Sequence, residues 1–116
     1  MANPNIVNVS DIRGKTATAN VTSSMAAIVT NSSGSNKVIK INALYLSNIE
    51  GANTGLANVE ILSDYSYRLL TEVEIPYAST LDVVSKAIYL EEDSSLRIQA
   101  DSNDVLQAIC SYEEIS

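Results

Sequence analysis

The chain contains no histidine, phenylalanine or tryptophan, and only one cysteine and two prolines among its 116 residues. Without histidine, the Ser-His and Cys-His nucleophile pairs, the common zinc sites and the ordinary pH switch near neutrality are excluded. The single cysteine, Cys110, excludes an intrachain disulfide and a cluster of cysteine ligands. We therefore predict a non-enzymatic protein with no catalytic residue, cofactor or metal site.

Basic residues are also scarce: seven Lys and Arg stand against fourteen Asp and Glu, giving a formal net charge of −7. A strongly acidic chain is repelled by phosphate backbones and by anionic lipid headgroups. No stretch approaches the roughly 18 consecutive apolar residues of a membrane-spanning helix, and the first residues, "MANPNIVNVS", do not resemble a secretory signal. We predict a protein made in the cytoplasm, with neither nucleic acid nor membrane as its partner.

The charge is unevenly divided along the chain. Residues 1–58 hold four basic and two acidic side chains, whereas residues 59–116 hold three basic and twelve acidic ones. This division could let a near-neutral surface of one subunit meet an acidic surface of a neighbour. Alternatively, strands from the two halves interleave and the division disappears in space, which is the interpretation that we favour.

Alternation of apolar and polar residues is the strongest pattern present, and a period of two predicts strands rather than helices. Val, Ile, Leu and Ala, with six Tyr as the only aromatic residues, suit strands. Glu60, Glu72 and Glu74 are predicted to face solvent. The side chains predicted to face the core in the three clearest segments are Ile39, Ile41, Ala43 and Tyr45; Ala57, Val59 and Ile61; and Leu69, Thr71, Val73 and Ile75.

Short polar breaks separate these segments. "SSGSN" is predicted to be a hairpin loop, and Pro76 is predicted to end a strand because proline has no N–H to donate. With the weaker segments "NIVNVSDI" and "TATANVT" included, about nine or ten short strands follow one another at the spacing of a sandwich or barrel. We predict an all-β fold, a sandwich or barrel of antiparallel strands, formed as a single domain by residues 1–116 with residues 1–5 as a flexible tail.

Three consecutive carboxylates, Glu91, Glu92 and Asp93, lie between two apolar runs in "IYLEEDSSLRIQA". Ile88 and Leu90 before them have the spacing of core residues, as do the apolar residues that follow. A calcium loop needs oxygen ligands at set spacings and usually a Gly, and this stretch has neither. The acids are predicted to lie in solvent at a corner between two strands.

The possible contact residues are Tyr65, Tyr67 and Tyr77, which flank the segment "YSYRLLTEVEIPYAS". Tyr is favoured at protein interfaces, so the three side chains could be contact anchors. Alternatively they cap the edges of the core, and we favour this second interpretation. Cys110 shares the face of Ala108 and is predicted to be a small buried apolar residue rather than a reactive thiol.

Two long stretches resemble a group of small virion structural proteins of tailed bacteriophages, notably marine and cyanobacterial ones. They are "TATANVTSSMAAIVTNSSGSNKVIKINALYLSN" and "LDVVSKAIYLEEDSSLRIQADSNDVLQAICSYEEIS", so the resemblance spans nearly the whole chain. The shared elements are "IYLEE" before a turn, a strand like "LRIQA", the "DSND" break and a closing "SYEEIS". This chain departs from the group at Asp93-Ser94-Ser95, where the usual form has a Gly beside the acidic turn.

The proteins that the chain resembles are jelly-roll or immunoglobulin-like sandwiches that coat the head or belong to the neck or tail. The resemblance therefore implies a virion protein of this kind, and we expect an antiparallel β-sandwich of jelly-roll type. We expect a head decoration (cement) protein bound to the major capsid protein, with a neck, tail or fibre component as the second choice. A homo-oligomer or symmetric array is expected in either case. The alternative from a different class is a carbohydrate-binding β-sandwich, in which Tyr would supply the aromatic platform.

Overall fold

The structure is a computed structural model that describes residues 11–116, and these residues form strands and turns without any helix. Residues 1–10, which include the predicted tail and most of "NIVNVSDI", lie outside the described residues. The all-β prediction is confirmed for residues 11–116. The strands are β1 (Ile12–Asn20), β2 (Ala26–Asn31), β3 (Val38–Asn48), β4 (Gly55–Leu62), β5 (Ser66–Ile75), β6 (Thr80–Asp82), β7 (Ile88–Leu90), β8 (Ser94–Ala100) and β9 (Leu106–Ile115).

The strands form two antiparallel sheets arranged like a β-sandwich. Sheet A has the order β1-β9-β3-β6, with β7 also pairing with β3, and sheet B has the order β2-β8-β4-β5. The edges are β1 and the two short strands β6 and β7 in sheet A, and β2 and β5 in sheet B. Pro76 follows the last residue of β5, as predicted.

Aliphatic side chains from both sheets fill the space between them. Because the chain has no Phe or Trp, branched aliphatic residues supply most of the buried volume. Among described residues, the largest fully buried apolar side chains are Val21, Ile39, Ile41, Leu44, Leu46, Val59, Ile75, Leu90, Leu96 and Leu106. Cys110 is fully buried among them, as predicted.

The inward face of β3 changes part-way along the strand. Ile39 and Ile41 are buried as predicted, but the register against β9 shifts between Ile41 and Ala43, and from there Leu44 and Leu46 face the core. The prediction that Ala43 and Tyr45 face inward is therefore wrong. A bulge adds one residue to a strand, and one extra residue exchanges the two faces of everything beyond it.

β5 departs from alternation for the same reason. Val73 lies opposite Ala57 and Leu70 lies opposite Val59, so two residues of β5, Thr71 and Glu72, oppose the single residue Asn58. Glu72 has a φ of 48°, and its backbone N donates to Asn58 Oδ1 at 2.8 Å. The prediction of which β5 residues face the core is correct for Val73 and Ile75. It is wrong for Leu69 and Thr71, both of which are exposed.

The connection at residues 32–37 is not a hairpin loop. It leads from β2 in sheet B to β3 in sheet A, so the hairpin predicted at "SSGSN" is wrong. Gly34 there has a φ of 79°, a left-handed conformation that glycine adopts without strain. By contrast, β4 and β5 pair directly and form a hairpin within sheet B. A polar break forms a hairpin only when the two strands beside it pair in the same sheet. The composition of the break does not reveal this pairing.

Candidate functional site

The tip of the β4–β5 hairpin carries two of the three predicted contact residues. Tyr65 is 72% exposed and Tyr67 is 54% exposed, and their rings meet edge to face with centroids 6.5 Å apart. Asp64 Oδ1 accepts hydrogen bonds from the Tyr65 backbone N at 2.9 Å and from the Tyr67 hydroxyl at 3.3 Å. Local desolvation and the Asp64 carboxylate both raise the pKa of Tyr67. The pair is therefore pre-arranged and open to solvent; we call Asp64, Tyr65 and Tyr67 the tyrosine tip.

Tyr77 does not belong to this group. It follows Pro76 beyond the far end of β5, a strand of 10 residues, which places it about 30 Å from the tip at the usual rise per strand residue. Tyr77 is 55% exposed, and none of the three tyrosines packs against the core. The interpretation that we favoured, in which they cap the core edges, is wrong, whereas their role as contact residues stays a prediction.

The acidic run forms a turn between β7 and β8, so the predicted corner is confirmed. Asp93 has a φ of 65°, and its backbone N donates to the Asn31 carbonyl at 2.8 Å. The prediction that all the acids lie in solvent is wrong for Glu92. This residue is buried, and its Oε1 accepts a hydrogen bond from the Asn36 backbone N at 3.3 Å.

The acidic turn and the tyrosine tip lie at the same end of the molecule. The last residue of β4, Leu62, pairs with Ser95 near the start of β8, so the turns adjoining these two strands share one end of sheet B. Glu91 and Asp93 are exposed there, together with Asp64 of the tip. This end therefore combines two exposed aromatic rings with several carboxylates.

A charged cluster that sequence reasoning missed lies on the outer face of sheet B. Glu60 was predicted to face solvent, yet its side chain is only 6% exposed. Its carboxylate lies 3.7 Å from Arg68 Nε and 3.9 Å from Arg97 Nε, and Oε2 has no hydrogen-bond partner. The three residues are neighbours because Glu60 pairs with Arg68 on one side and Arg97 on the other. Only the strand register could have revealed the cluster, which joins three strands by charge.

The outer face of sheet A has a different character. Its central row runs from Thr18 through Ile109 and Tyr45 to Asp82, as the cross-strand pairs place them. Tyr45 is 40% exposed and Ile109 is 46% exposed, and they lie directly opposite one another. Sequence reasoning missed this pair because it assigned Tyr45 to the core.

The charge division between the two halves of the chain does not persist in space. β1, from the first half, lies beside β9, from the second, and both Lys15 Nζ at 3.1 Å and Lys37 Nζ at 3.2 Å contact Glu114 Oε1. Partial burial raises the pKa of Glu114, but the hydrogen bonds and charges of the two lysines outweigh it, and the net pKa is lowered. The interleaving that we favoured is what residues 11–116 display.

One concave surface lies on sheet A. A shallow depression of about 390 Å³ on sheet A is lined by Thr18, Ala19, Asn20, Gln107, Ala108 and Ile109, none of which is an acid or a base. Within residues 11–116, no group of three or more Cys, Asp or Glu side chains is placed to hold a metal ion. The same residues contain no helix able to cross a membrane.

Cys110 gives a direct test of the β9 register. Burial raises the pKa of its thiol to about 11, and the thiolate is the reactive form. We expect native protein at pH 8 to react with a thiol reagent at least about a hundredfold more slowly than protein unfolded in urea, because the side chain is both buried and protonated. Stopped-flow labelling with an aromatic disulfide would measure both rates. Equal rates would mean that Cys110 does not face the core.

Comparisons with known proteins add no relative: no family model, no curated protein and no solved structure matches this chain.

Proposed function

We propose that this protein is a non-enzymatic structural subunit of a tailed-bacteriophage virion, made in the host cytoplasm and assembled on the particle. Its first-choice role is head decoration, in which it binds the major capsid protein and stabilises the shell. The observation that carries a contact role is the tyrosine tip, where two large side chains are held in one arrangement and left in solvent. The assignment to a virion rests on the sequence resemblance.

The strand order supports a jelly-roll winding within this proposal. The antiparallel pairs β4 with β5, β3 with β6 and β7, β2 with β8, and β1 with β9 are nested inside one another along the chain. A chain folded back once as a long double ribbon and then wound into two sheets has this pairing, which is the topology of jelly rolls in viral capsid and lectin domains. All connections then lie at the sandwich ends, where contact residues are free to vary.

A decoration protein needs only modest affinity for each site. A closed shell repeats the same contact many times, and linked copies gain avidity without any new interaction. Tyr is one of the residue types that contribute most to interfaces, because it buries a large area at a small cost in side-chain entropy. The edge-to-face packing of Tyr65 and Tyr67 and the hydrogen bond to Asp64 reduce that cost further.

The decisive experiment removes the tip. We expect the double variant Tyr65→Ala, Tyr67→Ala to bind stripped particles at least about thirtyfold more weakly, the loss typical of an interface hot spot. Its melting temperature should be unchanged because neither ring packs on the core. Tyr77→Ala is the matched control, since it removes an equally exposed Tyr from the opposite end of β5. Binding would be measured by co-sedimentation with particles, whose heat resistance should return when the wild-type protein is added.

Other outcomes would redirect the proposal. If labelled protein appears only at the neck or tail and particles without it keep full head stability, the neck, tail or fibre role replaces decoration. The exposed aromatic rings beside Asp64 also suit the stacking of a sugar ring, which favours a carbohydrate-binding module as the second candidate. Saturable binding on a glycan array that is lost in the Tyr65→Ala, Tyr67→Ala variant, without particle binding, would establish that candidate instead.

A further inference from the structure

Sheet edges expose unpaired main-chain groups. Each of the two sheets has two edges, and three of these four edges are short, bulged or charged, with β6 and β7 together forming one of them. β6 and β7 have 3 residues each. β2 is short and its register shifts between Ala27 and Val29. β5 is bulged and carries the exposed carboxylates Glu72 and Glu74. Short length, bulges and charge are the usual ways in which proteins prevent an edge from pairing with another strand.

β1 differs from all of these. Its 9 residues pair with β9 without any shift of register, from Ile12 opposite Ile115 to Asn20 opposite Gln107. Within residues 11–116, no strand pairs with its other edge. Its C-terminal half, "TATAN" at residues 16–20, is uncharged and consists of small side chains. Among the described residues, this half is therefore a regular, uncharged and open edge.

The alternation of backbone hydrogen bonds between β1 and β9 shows which residues of β1 have main-chain groups free to pair with another strand. The backbone N–H groups of Asp11 and Ser116 donate to each other's carbonyls at 3.0 and 2.9 Å, so Asp11 is a hydrogen-bonded partner of the neighbouring strand. In an antiparallel ladder, hydrogen-bonded pairs alternate with pairs that are not hydrogen-bonded. The odd-numbered residues of β1 therefore bond to β9, and the main chains of Thr16, Thr18 and Asn20 point outward from the sheet edge.

We propose that this edge pairs with β1 of a second copy of the chain, antiparallel, about a twofold axis at Thr18. Three residue pairs then exchange main-chain hydrogen bonds: Thr16 with Asn20 of the second copy, Thr18 with Thr18, and Asn20 with Thr16. A Thr lies directly opposite a Thr at the axis, which is a favourable cross-strand pair. The two copies of sheet A become one continuous sheet.

Charge disfavours a register centred nearer the N-terminus of β1. With the axis at Thr18, Lys15 lies opposite Val21 of the second copy, and the two Lys15 residues are about 20 Å apart along the strands. With the axis at Thr16, they would become diagonal neighbours at about 7–8 Å, and like charges at that distance repel.

The paired segment contains no charged residue. Beyond Val21 the chain leaves sheet A, since the Thr22 carbonyl accepts a hydrogen bond from the Ala100 backbone N of β8 at 2.9 Å. The new ladder is therefore confined to the uncharged residues 16–20. In a chain with a net charge of −7, pairing along an uncharged edge avoids the repulsion that acidic surfaces would meet. The inference does not depend on the proposed virion function.

Sedimentation velocity of the full chain tests the association. We expect a dimer in reversible exchange with monomer, and a Thr18→Pro variant that associates at least about tenfold more weakly because each copy loses an N–H at the axis. Proline is tolerated at an edge position whose N–H faces away from the sheet. The variant should therefore keep the far-ultraviolet circular dichroism and melting temperature of the wild type.

A pair of cysteine variants tests the register. Under mild oxidation Thr18→Cys should form a disulfide-linked dimer, since directly opposed hydrogen-bonded residues have Cα atoms about 5.5 Å apart. Thr16→Cys is the matched control: the two copies of residue 16 would be about 13 Å apart, beyond the reach of a disulfide. A monomer at all accessible concentrations, a dimer that Thr18→Pro leaves unaffected, or equal crosslinking of both cysteine variants would each overturn the proposal.

Discussion

Replacing Leu44 with Ala should lower the free energy of unfolding by about 3–5 kcal/mol, the upper part of the range for buried Leu-to-Ala changes. Leu44 is fully buried in β3 opposite Cys110, within the cluster of aliphatic side chains between the sheets. The substitution removes apolar contacts and leaves a cavity, which closely packed surroundings fill only in part. Urea denaturation followed by circular dichroism would measure the loss.

Tyr45→Ala is the matched control for Leu44→Ala. It lies one residue further along the same strand, on the outer face and 40% exposed, so we expect a loss of about 1 kcal/mol or less. Plain alternation from Ile39 and Ile41 would place Tyr45 in the core and Leu44 outside, and would predict the opposite order of effects. A larger loss for Tyr45→Ala than for Leu44→Ala would therefore refute the bulge at residue 42.

The second large effect is expected at Asn31, the last residue of β2, whose side chain is buried at the β2–β3 connection. Its Nδ2 donates to the carbonyls of Lys37 at 2.9 Å and Leu90 at 3.0 Å, and its Oδ1 accepts from Ser35 Oγ at 2.5 Å. Asn31→Asp keeps the shape but replaces both donors by an acceptor that faces two carbonyls. At pH 7 we expect a loss of about 3–5 kcal/mol, because a buried negative charge would face the two carbonyls with only the Ser35 hydroxyl as a donor.

The pH dependence of the Asn31→Asp variant distinguishes the buried charge from a general loss of packing. Burial beside carbonyls raises the pKa of the new carboxyl group in the folded state, so its destabilisation should grow as the pH rises above the ordinary Asp value of about 3.9 and shrink below it. Asn53→Asp, in the exposed β3–β4 connection, is the control and should change stability by less than about 0.5 kcal/mol. Equal losses in both variants, independent of pH, would contradict the role assigned to Asn31.

Much of the local structure follows from the sequence. The alternation around Ile39 and Ile41, the break at Pro76 and the turn at Glu91–Asp93 were predicted correctly, as was the burial of Cys110. Each depends on the side-chain period of a strand or on a residue that cannot continue one, and these are properties of a few neighbouring residues. Composition likewise determined that aliphatic side chains would form the core, because the chain offers no large aromatic residue except Tyr.

The tyrosine tip was predicted only in part. The sequence indicated Tyr65, Tyr67 and Tyr77 as possible contact residues, but their exposure and the separation of Tyr77 from the other two depend on where β5 begins and ends. The Tyr45–Ile109 pair could not be predicted at all, because its members belong to strands far apart in the chain.

Tertiary structure decided the remaining features, since strand pairing is non-local. The polar break at residues 32–37 crosses between sheets because β2 pairs with β8 and β3 with β9. Glu60 is buried because its two cross-strand neighbours are Arg68 and Arg97. A bulge in β3 and further register shifts in β5 exchange inward and outward faces, and a one-residue shift is enough to do so since the side-chain period is two. The sequence by itself indicated most of the strand segments, whereas the choice of partners determined their exact bounds and which of their faces meet solvent.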